Sequence, residues 1–212
     1  MKIAVIGGTG FVGTQVVNEA LNRGYEVTAL ARNIEKVAAR PNLTAKTADV
    51  NNVVELAGLL AGHDAVVNTF NAGWGNPNIY DDFIKGSKDI QQAVKQAGVK
   101  RLLVVGGAGS LYIDGKQLVD SPEFPAQWLH GAQAARDYLN IIKEETELDW
   151  TFLSPAIMLH PGERTATYRT GTESPVFNAD GKCEISVEDL AVAIVDELEK
   201  NQFVQKRFTV GY

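Results

Sequence analysis

The sequence contains one cysteine, Cys183, and only three histidines among 212 residues. A single thiol excludes an intramolecular disulfide and fits a reducing compartment. His63, His130 and His160 share no metal-ligand spacing with one another or with Cys183, so no metal site is expected. No apolar run approaches the length that spans a bilayer. The residues after Met1 read as a short strand broken by Gly7, not as the longer apolar region of a secretory leader. A cytoplasmic protein without a membrane partner is expected. There is no G-x-S-x-G nucleophile elbow, internal repeat, low-complexity segment or interdomain linker. Basic charge is also scarce: 20 Lys and Arg against 26 Asp and Glu give a net charge of −6. Nucleic acid is therefore not expected as a partner, although a local basic spot for a phosphate stays open.

What is present is an ordinary globular balance, 45% hydrophobic and 22% charged. The length suits one α/β domain, residues 1–212, with a small appendage. Such a chain buries about 70% of its unfolded surface and needs no disulfide or metal to fold. The first two-thirds alternates strand and helix patterns. Strands are expected at Ile3 to Ile6, Glu26 to Leu30, Leu43 to Ala48, Ala65 to Phe70, Leu102 to Val105 and Trp150 to Leu153. Helices are expected at Phe11 to Arg23, Ile34 to Ala39, Asn52 to Ala61, Ile79 to Ala97 and Ala126 to Glu147. AVVNTF and RLLVVG are continuous apolar runs, as buried parallel strands require. The expected fold is a Rossmann-type, doubly wound parallel sheet in a three-layer αβα arrangement. Residues 156–182 read as an irregular insertion with a short strand near Thr165 to Arg169. Ser186-Val-Glu-Asp189 matches a capping box with Asp189 in place of Glu, opening a helix to about Lys200. Arg207 to Val210 reads as a final strand.

Gly7, Gly10 and Gly13 fall between the first strand and the first helix. Gly7 suits a tight turn, Gly10 a close approach of backbone to a pyrophosphate, and Gly13 close packing of helix on strand. A phosphate would then lie at the helix N-terminus, beside Thr9, Phe11 and Val12. The second strand ends Ala31-Arg32-Asn33, without the acidic residue that accepts from a ribose 2′-hydroxyl. A guanidinium at Arg32 suits a 2′-phosphate instead, so NADP is expected over NAD.

These residues carry a resemblance. IAVIGGTGFVGTQVVNEALNRGYEVTALARN resembles the atypical short-chain dehydrogenases, especially the NAD(P)H-binding group with NADH-flavin reductase-like and biliverdin reductase B-like proteins. The NmrA-like redox-sensing regulators are more distant. The resemblance implies that Asp49 and Val50 border adenine. It implies that Thr69, Phe70 and Asn71 end the fourth strand beside the cofactor, and that Gly106 and Gly107 end the fifth. It also places Pro155, in the Asp149-Trp150-Thr151-Phe152-Leu153-Ser154-Pro155 segment, at the nicotinamide. One departure stands out. The Tyr-x-x-x-Lys pair of catalytic short-chain dehydrogenases aligns on Leu129 and Gln133, which cannot transfer a proton. Tyr138 and Lys143 are one residue too far apart to replace it.

Hydride transfer to a flavin or quinone needs no strong protein acid, so a planar small-molecule acceptor is the leading expectation. Ser110 and His130 are the candidate polar catalytic residues, and Trp74 could stack on a planar substrate. Each has a plainer alternative: a turn serine, a surface histidine, a loop-packing tryptophan. A non-catalytic NAD(P)-binding sensor is the alternative function, and a nucleotide-sugar epimerase or dehydratase a further one. A monomer or homodimer is expected.

Overall fold

The computed structural model describes residues 1–35 and 37–212. Six parallel strands follow the apolar runs: β1 (Lys2–Ile6), β2 (Glu26–Ala31), β3 (Leu43–Thr47), β4 (Ala65–Asn68), β5 (Arg101–Val105) and β6 (Asp149–Ser154). Two more, β7 (Arg169–Gly171) and β8 (Lys206–Gly211), complete one sheet of order β3-β2-β1-β4-β5-β6-β8-β7. Only β7 runs antiparallel, pairing Thr170 with Val210. Strand order reverses between β1, which pairs with β2, and β4, where Ile6 faces Asn68. Ligands on open α/β sheets bind beyond the carboxyl ends at such a reversal.

Alternation along each strand divides the core in two. Ile3 and Val5 face one layer, formed by α1 (Phe11–Asn22) and α5 (Val187–Lys200). Ala4 and Ile6 face the other, formed by α2 (Val53–Leu60), α3 (Ile79–Gln96) and α4 (Ala126–Ile142). The observed helices stop within a few residues of their glycine signals, with Gly24, Gly62 and Gly98 all at positive φ. These are left-handed positions that favour glycine.

Two expectations change. The short helix over 34–39, part of which lies outside the described residues, is not seen in the described part. The Asn33 side chain accepts from Glu35 N at 2.9 Å and Val37 N donates to Ile34 O at 2.9 Å, turn-type bonds among the described residues. An Asx turn competes with helix initiation, and six residues offer little to offset nucleation. The insertion is also more ordered than its composition suggests. Met158–His160 pairs in parallel with Glu184–Ser186, and the anticipated short strand is β7, displaced to 169–171.

The capping box forms only in part. Ser186 Oγ accepts from Asp189 N at 3.0 Å, as expected. The Asp189 carboxylate does not return to the cap. It accepts from Thr165 N at 2.8 Å, Ala166 N at 2.7 Å, Thr165 Oγ1 at 2.6 Å and the Tyr212 hydroxyl at 2.8 Å. Nearby, Arg164 grips buried Glu19 of α1 through two bonds, of 2.6 and 2.9 Å. The Arg164 hydrogen bond, with help from Arg23 and against the cost of burial, holds the Glu19 carboxyl below its usual range. The insertion is thus strapped across the α1–α5 layer.

Candidate functional site

The turn from β1 into α1 is fixed by glycine backbone. Gly7, at φ +80°, donates to Leu30 O at 2.8 Å, and Gly10 N closes the turn on Gly7 O at 2.8 Å. A Cβ at Gly13 would stand 2.1 Å from Gly7 O, so helix and strand approach too closely for any side chain there. A Cβ at Gly8 would meet Ala29 Cβ at 2.9 Å, a fourth constrained glycine that the triplet spacing does not single out. Gly10 differs. Its backbone is ordinary for any residue (φ −81°, ψ 177°), and its Cβ would touch only Gly7 O, at 3.2 Å. That contact is tight, so Gly7 O would have to give by a few tenths of an ångström, but the demand for glycine is far milder than at Gly13.

Gly10 is also the N-cap of α1, with no side-chain cap and no acidic residue in the first turn. The first-turn N–H groups of Phe11, Val12 and Gly13 therefore present the positive helix end to solvent. Thr9, Gly10 and Phe11 are exposed beside them, and Val12 is half-buried. An uncapped helix end behind a glycine that needs no glycine conformation fits a bound pyrophosphate.

The remaining predicted cofactor residues lie along the same sheet edge. Arg32 is exposed just past β2 and forms no ion pair among the described residues. Asp49 is exposed past β3, its carboxylate accepting from Asn51 N at 2.9 Å, with Val50 half-buried beside it. Past β4, Thr69 Oγ1 donates to Ile6 O at 2.8 Å, joining the two strands at the reversal. Phe70 stacks on Phe83 at 6.0 Å between centroids, and Asn71 is exposed, its side chain accepting from Gly73 N at 2.7 Å. Past β5, a Cβ at Gly106 would fall 2.0 Å from Phe152 Cζ, whereas Gly107 has an ordinary 3.6 Å to Ala135. Pro155 is buried directly after β6.

The candidate catalytic residues sit differently from one another. Ser110 is only 1% exposed. Its Oγ lies 3.3 Å from Ser154 Oγ and accepts from Arg207 Nη1 at 3.1 Å, while its carbonyl accepts from the same nitrogen at 3.0 Å. Arg207, on β8, also pairs with Glu173 and lies 6.0 Å from the Tyr112 ring centre. Here the structure places Ser110 in a buried polar fastening, not on an open surface. The sequence places Arg207 in the final strand but gives no sign of its bond to Ser110, 97 residues away. His130 is exposed on α4. Trp74 leans on the same helix: a Cβ at Gly131 would meet its Cζ3 at 2.6 Å. Leu129 and Gln133 are half-buried on α4, and Tyr138 is fully buried against Phe83 and Gln91. Among the described residues no group of His, Cys, Asp or Glu could hold a metal ion, and no helix is long and apolar enough to cross a membrane.

Comparison with known proteins agrees with this geometry. YwnB of Bacillus subtilis (strain 168), itself uncharacterized, is 39% identical over 99% of this chain and 98% of its own length. A solved structure from Bacteroides thetaiotaomicron, provisionally designated an epimerase, is 47% identical with a TM-score of 0.93, covering 100% of this chain and 96% of that one. Another from Streptococcus pneumoniae TIGR4, provisionally designated an NADH-flavin reductase, is 35% identical with a TM-score of 0.84, covering 100% and 99%. The NAD(P)H-binding family model matches residues 7–201, from the first glycine of the cradle to the end of α5. With its Rossmann-type sheet and bare helix end, the chain belongs to this NAD(P)H-binding family.

Proposed function

We propose that this protein is an NADPH-dependent reductase that passes hydride to a flavin or a similar planar acceptor. The observation that carries the reading is that α4 offers no Tyr/Lys pair at the positions that resemble the short-chain dehydrogenase motif, exposed His130 being the polar side chain beside them. Leu129 and Gln133 occupy the aligned positions, Tyr138 is buried in the core, and Ser110 is held by Arg207. When bound, the dihydronicotinamide supplies the hydride, and solvent can protonate a flavin or quinone product. The chain's residues then bind, orient and shield. The α1 N-terminus and Gly10 hold the pyrophosphate, Thr69, Gly106, Gly107 and Pro155 line the nicotinamide end, and Asp49 and Val50 border the adenine. Exposed Arg32 supports a 2′-phosphate and hence NADPH. The similarity to the Streptococcus protein supports the same reaction class. Epimerisation through a keto intermediate needs an acid–base pair that these positions lack.

Mixing the protein with NADPH and FMN, FAD or a quinone, and following the reduced-nicotinamide absorbance, tests the reading. Oxidation above background supports a reductase. Tight NADPH binding with no oxidation by any acceptor favours the second reading, a non-catalytic redox sensor, which the absence of a Tyr/Lys pair on α4 also permits.

A further inference from the structure

Two of the three tryptophans are half-exposed, Trp74 at 57% and Trp128 at 48%, while Trp150 is buried at 2%. Tryptophan is usually well buried, so this exposure needs an explanation. Both residues lie at the carboxyl edge of the sheet. Trp74 is in the loop after β4. Trp128 is in the first turn of α4, which begins at that edge because the helix returns the chain from β5 to β6.

Their relation follows from α4. Trp128, Gly131, Ala132 and Ala135 are spaced i, i+3, i+4 and i+7, one stripe of a helix, and the last three are buried. The Trp74 ring rests against Gly131, one turn from Trp128. The stripe's small residues let the loop after β5 come close: a Cβ at Gly109 would stand 3.1 Å from Ala132 Cβ. The two indoles therefore project from adjacent positions beside the loops that line the nicotinamide end. Other exposed large hydrophobic residues share this edge: Phe11 after β1, Tyr112 after β5, and Ile157 and Met158 after β6. A sugar nucleotide would call for polar partners here. Beside polar Asn71 and His130, the two exposed indoles offer flat aromatic surface instead.

We propose that Trp74 and Trp128 form the binding platform for the acceptor, an uncharged aromatic ring system held by stacking, with Gly131 seating Trp74. This rests on the reductase reading for its location but not for its test. FMN, and separately a water-soluble naphthoquinone, are titrated into the protein with and without saturating NADP⁺, following tryptophan emission. Saturable quenching is expected. Trp128→Ala and Trp74→Ala should each weaken ring binding about tenfold, as loss of a stacking aromatic does. Trp128→Phe should stay within about threefold of wild type, because a ring is retained. Gly131→Ala, which touches no ligand, should weaken it by displacing Trp74. NADP⁺ affinity measured by calorimetry should change less than about twofold in all four, since none lines the phosphate cradle. The proposal is overturned if no ring ligand quenches saturably, or if both alanine variants bind like wild type. It is also overturned if these variants instead convert a dimer to a monomer without altering ligand affinity. Ring binding without NADPH oxidation sinks the reductase reading alone. Oxidation with unchanged KM for the acceptor in the alanine variants sinks the platform alone.

Discussion

Gly10 and Gly13 are three residues apart at the start of α1, yet alanine at each should fail for opposite reasons. At Gly13 the added methyl would lie 2.1 Å from Gly7 O and 2.7 Å from Gly7 C. Carbon contacts are most favourable at about 3.5–4.0 Å, and both sides of this clash are backbone, so no rotamer change relieves it. Overpacking typically costs about 1–3 kcal/mol, and a rigid obstacle puts this case at the upper end. At about 2–4 °C per kcal/mol for this chain length, Gly13→Ala should melt roughly 6–12 °C below wild type. At Gly10 the methyl meets one oxygen at 3.2 Å in an ordinary backbone conformation. Reduced unfolded-state entropy should stabilise by about 0.4–1 kcal/mol, and alanine's weakness as an N-cap should cancel most of it. The melting temperature should move by no more than about 3 °C. The same methyl occupies the pyrophosphate's approach, so NADPH affinity should fall at least about tenfold, or about 1.4 kcal/mol. Thermal unfolding and calorimetric titration of both variants decide the matter. Wild-type NADPH affinity in Gly10→Ala would refute the cradle assignment, and a wild-type melt in Gly13→Ala would refute the packing argument.

Arg32→Ala should weaken NADPH binding by about tenfold or more, as loss of a charge-assisted contact does, while NADH binding stays unchanged. Equal losses for both cofactors would remove Arg32 from the 2′-phosphate. Burial works against the Asp196 carboxylate, but hydrogen bonds from Lys200, Tyr168 and Arg23 outweigh it and draw its pKa down to about 2. Its contribution to stability is therefore complete above the unfolded value near about 3.9 and drains away as pH falls toward 2. Melting temperatures measured from pH 6 to pH 2 should show this loss, and Asp196→Asn should make the curve shallower. Tyr138→Phe removes only a 3.3 Å contact to Gln91, so it should cost no more than about 1 kcal/mol in denaturant titration and leave turnover intact. Lost turnover in a folded variant would put Tyr138 into the chemistry.

What the sequence made legible was local. Gly7, Gly10 and Gly13 could be read because a strand, a turn and a helix start lie within a dozen consecutive residues. The strands of AVVNTF and RLLVVG could be read because burial on both faces leaves their middles, Ala65 to Val67 and Leu102 to Val105, continuously apolar. The reading weakened wherever a partner lies far along the chain. Ser110 looked like an available hydroxyl, and only the folded chain brings Arg207 to it. Nothing local marks Glu19 as buried, because its cover, Arg164, lies 145 positions away. Met158–His160 and Glu184–Ser186 are three-residue strands whose existence depends on each other, so neither leaves a periodic trace of its own. Trp128 was passed over for a related reason: its place beside Trp74 depends on a helix stripe meeting a loop.

The place of β8 between β6 and β7 imposes an order of assembly. β7 comes earlier in the chain but can join the sheet only on an edge that β8 provides. Other fastenings of the insertion also wait on later residues: Met158–His160 on Glu184–Ser186, and Thr165 and Ala166 on Asp189. Apart from the Arg164 grip on Glu19 of α1, the segment from 156 to 182 therefore gains its strand and capping partners only as α5 and β8 dock, when the loop entropy of those long-range closures has already been spent. During refolding it should stay open to proteolysis until last. Its protection would then act as a clock for completion of the whole sheet, running separately from the earlier closure of the glycine turn at β1.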